Sequence, residues 1–313
     1  MRCCKIMAYL LPLLFLLLPG PATADNKTWI AIVTSDDSPV YTQTIQTFKA
    51  GIDSEIRLFS LHDDIHQAPE LRNTILAKPP TLIFALGAKA AYAAKLWTTN
   101  RQEIPVLFAM VLNWQKYKLL EGQRNMAGIS TEINPGNQFL NLSLLVSGIK
   151  KIGVIYSPGF SGELVATARQ STQMLGIRLV EQPIDSPQHF EQAYKKLAAE
   201  VDAIWVLHDP ITYTLKNMDW LKERCIKDKL ICIGQSENLV EAGILLSVRA
   251  DETNIGTQAA SMSINILERN QPPAAIGVME PLGTNIIVNR RTADHIGLKL
   301  SKQALGMVTD IID

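Results

Sequence analysis

Short runs of consecutive apolar residues alternate along this chain with longer stretches whose apolar positions recur at helical spacing. Residues 29–34 (WIAIVT), 56–60, 81–86 (TLIFAL) and 105–110 read as strands. Between them, 41–51, 69–77 and 88–97 read as helices, with Ile45 and Phe48 on one face of the first. Runs that are apolar at every position indicate parallel strands covered on both faces. After residues 126–130 the pattern restarts. Strands at 151–156 (KIGVIY), 178–181, 203–207 (AIWVL), 230–233 and 244–248 alternate with helices at 138–145, 162–175, 190–199 and 218–228. Two consecutive βαβ series of similar length predict an α/β protein of two doubly wound parallel-sheet lobes joined by a hinge. The first lobe takes residues 25–131 and the second 132–250. A late helix over 254–268 and a strand over 285–289 return through the hinge. They assign about 251–275 to the first lobe and about 276–313 to the second.

The N-terminus follows a different pattern. Arg2 and Lys5 precede an apolar run from Met7 to Leu18, which Pro19, Gly20 and Pro21 interrupt before Ala22-Thr23-Ala24. This is the layout of a cleavable signal peptide over residues 1–24, and the run is short for a membrane span of about 20 residues. Removing it takes away two basic residues and leaves 28 basic against 30 acidic groups. Cys3 and Cys4 lie inside the leader, so the expected product is exported to a periplasm without lipid attachment. Cys225 and Cys232 remain. An oxidising compartment permits a disulfide, but spacing does not fix one, and two buried thiols are the preferred reading.

Thirty basic and thirty acidic residues disfavour a nucleic-acid partner, which would require a basic surface. No phosphate-binding glycine loop, nucleophile elbow, H-E-x-x-H or paired C-x-x-C appears. His62-Asp63-Asp64-Ile65-His66 is the one dense metal-like cluster, and it reads as a polar loop. The sequence therefore predicts no catalytic set, no metal and no cofactor. Ligands of open α/β sheets bind beyond the carboxyl ends of the strands. That rule selects Ser35, Asp36, Gly87, Ala88, Lys89, Asn113 and Trp114 in the first lobe. In the second it selects Ser157, Phe160, His208, Asp209, Gln235, Ser236 and Glu237. Gly87 opens a helix whose first N–H groups suit an anion, with Lys89 adding charge. Asp209 ends an apolar strand and is the first choice for a ligand amine or hydroxyl, or else a helix cap. Tyr41, Trp114 and Phe160 offer stacking surfaces.

TLIFALGAKAA, IPVLFAMV, NMAGIST, KIGVIYSPGF, VDAIWVLHDP, ENLVEAGILLSV, NIGTQAASMSINILERNQPP and NIIVNRRTADHIGL follow one another in an order and spacing familiar from one family. From about Trp29 to Leu300 the chain resembles the ABC-transporter substrate-binding proteins that include tryptophan- and tyrosine-binding members. The resemblance implies the type I periplasmic-binding-protein fold. It also implies a monomer that captures a small polar solute, such as an amino acid or related compound, and presents it to an inner-membrane permease. A sensor that signals to a membrane protein is the alternative, and an exported enzyme a third. The family usually has Gly-Thr where Gly87-Ala88 stand and Asp-Pro where Asn113-Trp114 stand. Its aspartate in the second lobe is kept as Asp209.

Overall fold

The computed structural model describes residues 28–313, so the expected leader lies outside the described residues. The first five strands are β1 (Trp29–Thr34), β2 (Glu55–Ser60), β3 (Leu82–Leu86), β4 (Val106–Ala109) and β5 (Met126–Ile129). They pair in parallel in the spatial order β2-β1-β3-β4-β5. Helices α1 (Thr42–Ala50), α2 (Ala68–Ala77) and α3 (Ala88–Thr98) make the crossovers. Every residue of β1, β3 and β4 is buried, as their unbroken apolar runs require.

The second sheet begins after α4 (Pro135–Leu145). It contains β6 (Lys151–Tyr156), β7 (Arg178–Pro183), β8 (Ala203–Trp205), β9 (Ile231–Gly234) and β10 (Leu246–Ala250). Helices α5 (Pro158–Met174), α6 (Phe190–Ala198), α7 (Leu215–Lys227) and α8 (Glu237–Glu241) connect them. The chain then returns to the first lobe through α9 (Glu252–Leu267), α10 (Pro273–Ile276) and β11 (Val278–Met279), which pairs with β5. A third crossing, over residues 280–283, leads to β12 (Thr284–Asn289), α11 (Arg290–Ile296), α12 (Lys302–Leu305) and β13 (Asp310–Ile312) in the second sheet. That crossing lies a few residues beyond position 276 because Val278 and Met279 are still held by β5.

One pairing departs from the parallel pattern. β12 runs antiparallel to β10, with Thr284 opposite Ala250. β10 leaves its sheet toward the crossing at Ala250, and β12 enters at the same end without a helical crossover to reverse it.

Alternation along the strands sorts the core. Ile30, Ile32, Phe84 and Leu107 belong to an apolar cluster that runs on through Phe139, Val154 and Trp205 of the second lobe. Ala31, Val33, Ile83 and Phe108 face a cluster confined to the first lobe. Inside the shared cluster, the Trp205 Nε1–H donates to Gln138 Oε1 at 2.9 Å while Phe139 meets the indole edge-on. Helix α9 lies against α1 at Gly256, where a Cβ would sit 2.3 Å from the Thr44 carbonyl and clash with the Thr47 hydroxyl. Only glycine permits that approach.

Cys225 of α7 and Cys232 of β9 are both buried and are joined by a disulfide. This corrects the reading of two free thiols. The turn at Asp228–Lys229 folds the chain back so that helix and strand bring the two sulfurs together, a placement that spacing does not reveal.

The cleft between the two sheets

A cleft of about 730 Å³ opens between the carboxyl ends of the two sheets. From the first lobe it is lined by Tyr41, Met110 and Leu112, and from the first crossing by Thr131, Glu132 and Ile133. The second lobe contributes His208, Asp209, Gln235, Ser236, Glu237 and Arg249. The cleft is reached from the carboxyl end of β4 in the first lobe and from those of β8 and β9 in the second, the side on which α/β sheets bind ligands.

The sequence-selected residues separate into three groups. His208, Asp209, Gln235, Ser236 and Glu237 line the cleft, as does Tyr41. Asn113, Trp114 and Phe160 line a neighbouring cavity of about 360 Å³ that shares Glu132 and Ile133 with the cleft. There Trp114 tilts against Phe108, and the Lys116 ammonium of the first lobe sits 3.4 Å over the Phe160 ring of the second. Ser35, Asp36, Gly87, Ala88, Lys89 and Ser157 line neither space.

Most of that last group builds the frame. Gly87 has φ +87°, and a Cβ there would fall 2.5 Å from both the Ser35 and the Tyr41 oxygens. The Ser35 hydroxyl donates to the Leu86 carbonyl and accepts the Ala90 N–H at 3.0 Å, capping α3. Asp36 accepts the Ser38 N–H at 2.8 Å and lies 3.5 Å from the Tyr41 hydroxyl. Burial, followed by the Asp36 charge, pushes the Tyr41 phenol up to about 12. Lys89 lies outside the cleft lining. Its ammonium is paired with the Asp63 carboxylate at 2.6 Å, on the surface.

Asp209 is held by donors of its own lobe, two of them in the cap-like manner that the sequence also allows. Its side chain is 1% exposed. One oxygen accepts the Ser157 N–H at 2.8 Å and the Ser161 hydroxyl at 2.9 Å. The other accepts the N–H groups of Ile211 at 3.1 Å and Thr212 at 3.0 Å. Four donors occupy the carboxylate, so it ties the start of α5 to the loop after β8.

Of the polar groups that do remain available, Gln235 was evident from strand ends and Glu132, Thr131 and Arg249 were not. Glu132 is half-buried and has no cationic partner among the described residues; the Asn113 N–H donates to it at 3.3 Å. Desolvation pushes its carboxyl above the usual range. Arg249 pairs with Glu237 at 3.2 Å and with Glu252 across the second crossing. Thr131 Oγ1, Gln235 Nε2 and Arg249 Nε are buried and find no hydrogen-bond partner. Unpartnered buried polar atoms are rare, and three on one cavity wall mark a place where a ligand can complete the network. Among the described residues, no group of histidine, cysteine and carboxylate side chains could hold a metal ion.

Two α/β lobes, a triple crossing and a cleft between them define the type I periplasmic-binding-protein class. Residues 47–311 match the model of the ABC transporter substrate binding protein family, and the chain belongs to that family. A tyrosine-binding protein of Clostridioides difficile is 23% identical over 258 residues, spanning 80% of this chain and 73% of that relative. A ligand-free, open substrate-binding protein with adhesive properties from Clostridium difficile superposes with a TM-score of 0.75. It is 20% identical, with 91% of this chain and 99% of that one covered. An ABC domain from Streptococcus pneumonia in complex with L-Trp gives a TM-score of 0.58 at 18% identity, over 90% of this chain and all of that one.

Proposed function

We propose that this chain is the exported solute-binding component of an ABC-type importer, and that it captures a small molecule in the cleft between its lobes. The observation that carries the reading is the cleft itself. Both lobes and the first crossing line it, and three buried polar atoms on its wall lack partners. A solute touching both walls would interact more strongly with a closed form than with an open one, and that difference drives rigid-body closure. The permease in the inner membrane then recognises the closed form. The names of the relatives put aromatic amino acids and their derivatives first among the compounds to try.

The test is a thermal-shift screen of the purified protein against amino acids, amines, sugars, nucleosides and small carboxylates, followed by small-angle scattering on each hit. A ligand at about 100 times its Kd stabilises the native state by about 2.7 kcal/mol, a readily measured shift. Closure should also reduce the radius of gyration. Hits that leave the radius unchanged, or no hit in any class, would count against capture between the lobes.

A further inference from the structure

We infer that the cleft selects an organic cation, an ammonium or amidinium group on an apolar body, over the zwitterionic amino acid of the same side chain. The inference rests on the capture reading above and concerns the charge of the captured molecule.

The cleft wall carries the carboxylates of Glu132, Glu237 and Glu252 against a single guanidinium, that of Arg249. The Asp209 carboxylate lies on the same wall, filled by its four donors. Arg249 is largely committed, because its two terminal nitrogens are held by Glu237 and Glu252 and only its Nε–H is unpartnered. A ligand carboxylate reaching that N–H would remain close to both acids. The helix ends nearby already carry acids: Asp251 caps α9 through the Thr253 N–H at 2.9 Å with Glu252 in its first turn, and Glu237 stands in the first turn of α8, whose N-cap Ser236 makes no side-chain cap. A carboxylate brought into this cleft loses its hydration and meets excess negative charge.

An ammonium meets the opposite situation. Glu132 is a half-buried acid with no cation beside it, the position where a bound positive charge is most strongly favoured. The remaining unpartnered groups, Thr131 Oγ1 and Gln235 Nε2, are neutral and suit a hydroxyl or ring heteroatom. Met110, Leu112, Ile133, Leu207 and Ile255 supply an apolar surface for the rest of the molecule. Glu132 lies at the junction of the cleft with its smaller neighbour, so an ammonium there leaves the larger space free for the body.

The test is isothermal titration of the purified protein with matched compounds at pH 7.5. The series are tyramine, tyrosine and 3-(4-hydroxyphenyl)propionate; tryptamine, tryptophan and indole-3-propionate; and agmatine with arginine. In at least one series the amine should bind ten-fold or more tightly than its amino acid, and the acid should show no heat of binding. Glu132→Gln should lower amine affinity at least ten-fold and reduce the ratio of amine to amino-acid affinity. An amino acid that binds as tightly as its amine overturns the inference and leaves capture between the lobes standing. Binding by none of these compounds also overturns it, while the broader screen and scattering test decide capture separately. An unchanged amine preference in Glu132→Gln, with a native melting profile, removes Glu132 as the selecting residue. The wild-type ratio needs no variant to fold, so the charge preference is testable on its own.

Discussion

Asp209→Ala tests whether this acid frames the cleft or touches the solute. The substitution strips acceptors from three backbone N–H groups and one hydroxyl. Ile211 is substantially exposed, so water can replace the partner of its N–H. Ser157 and Ser161 are buried, and their donors lose their partner outright. A hydrogen bond to a charged acceptor is worth about 1.5–3 kcal/mol, and the four are not additive. An overall loss of about 4 kcal/mol follows, a large part of the typical stability of a domain. At about 2–4 °C per kcal/mol, the melting temperature should fall by about 10 °C. Asp209→Asn keeps an acceptor for one pair of donors and turns an NH2 toward the other, so about half the loss is expected. Differential scanning calorimetry without ligand measures both. A fall of less than about 2 °C in Asp209→Ala, accompanied by a clear loss of ligand affinity, would refute the framing role and return the carboxylate to the solute.

Three further outcomes are expected. Reducing the Cys225–Cys232 bond, which closes a loop of sequence separation 7, should destabilise the protein by about 2.5 kcal/mol on loop-entropy grounds, read as a lower melting temperature after denaturing reduction and refolding under reductant. Because burial raises the folded carboxyl of Glu132, its charged form costs stability above that raised value and costs nothing below the ordinary carboxylate range. Glu132→Gln should therefore raise the ligand-free melting temperature at pH 8 and lose that advantage as the pH falls toward 4, and wild-type amine affinity should weaken on the same descent. Lys116→Ala removes the cation from the Phe160 ring across the lobes. It should weaken solute binding by about 1 kcal/mol, roughly five-fold in Kd by calorimetry, if that contact belongs to the closed form.

The legible parts of the fold are those in which burial alone determines the residue pattern. β1 and β6 follow from the unbroken apolar runs over residues 29–33 and 152–156. Elements too short for a period, such as β11, α10 and α12, leave no trace in the pattern. The direction of β12 is invisible because it depends on where the chain crosses, not on its own side chains. Some signals were available but subtle. Pro158 and Pro135 each stand at the first position of a helix, where proline is favoured, and they date the starts of α5 and α4 several residues earlier than apolar spacing does. In the cleft, the strand-end rule finds His208, Ser236 and Glu237. It misses Glu132 and Glu252, which lie on or beside the crossings. Arg249 lies one residue past the expected strand 244–248; the strand runs on to Ala250 and carries the guanidinium to Glu237 and Glu252.

The triple crossing has a consequence for how this molecule can be dismantled. Each lobe is assembled from two separated stretches of polypeptide, because β11 belongs with β5 while β12 and β13 belong with β10. No single cut releases either half intact, and a protease nick in one connection leaves two others tethering the halves. Nor can either half be transplanted as a single gene segment, since a graft would need two junctions and would have to rebuild the edge of a sheet. Exchange between relatives should therefore proceed through surface loops and side chains on the cleft wall, with the pair of lobes inherited together.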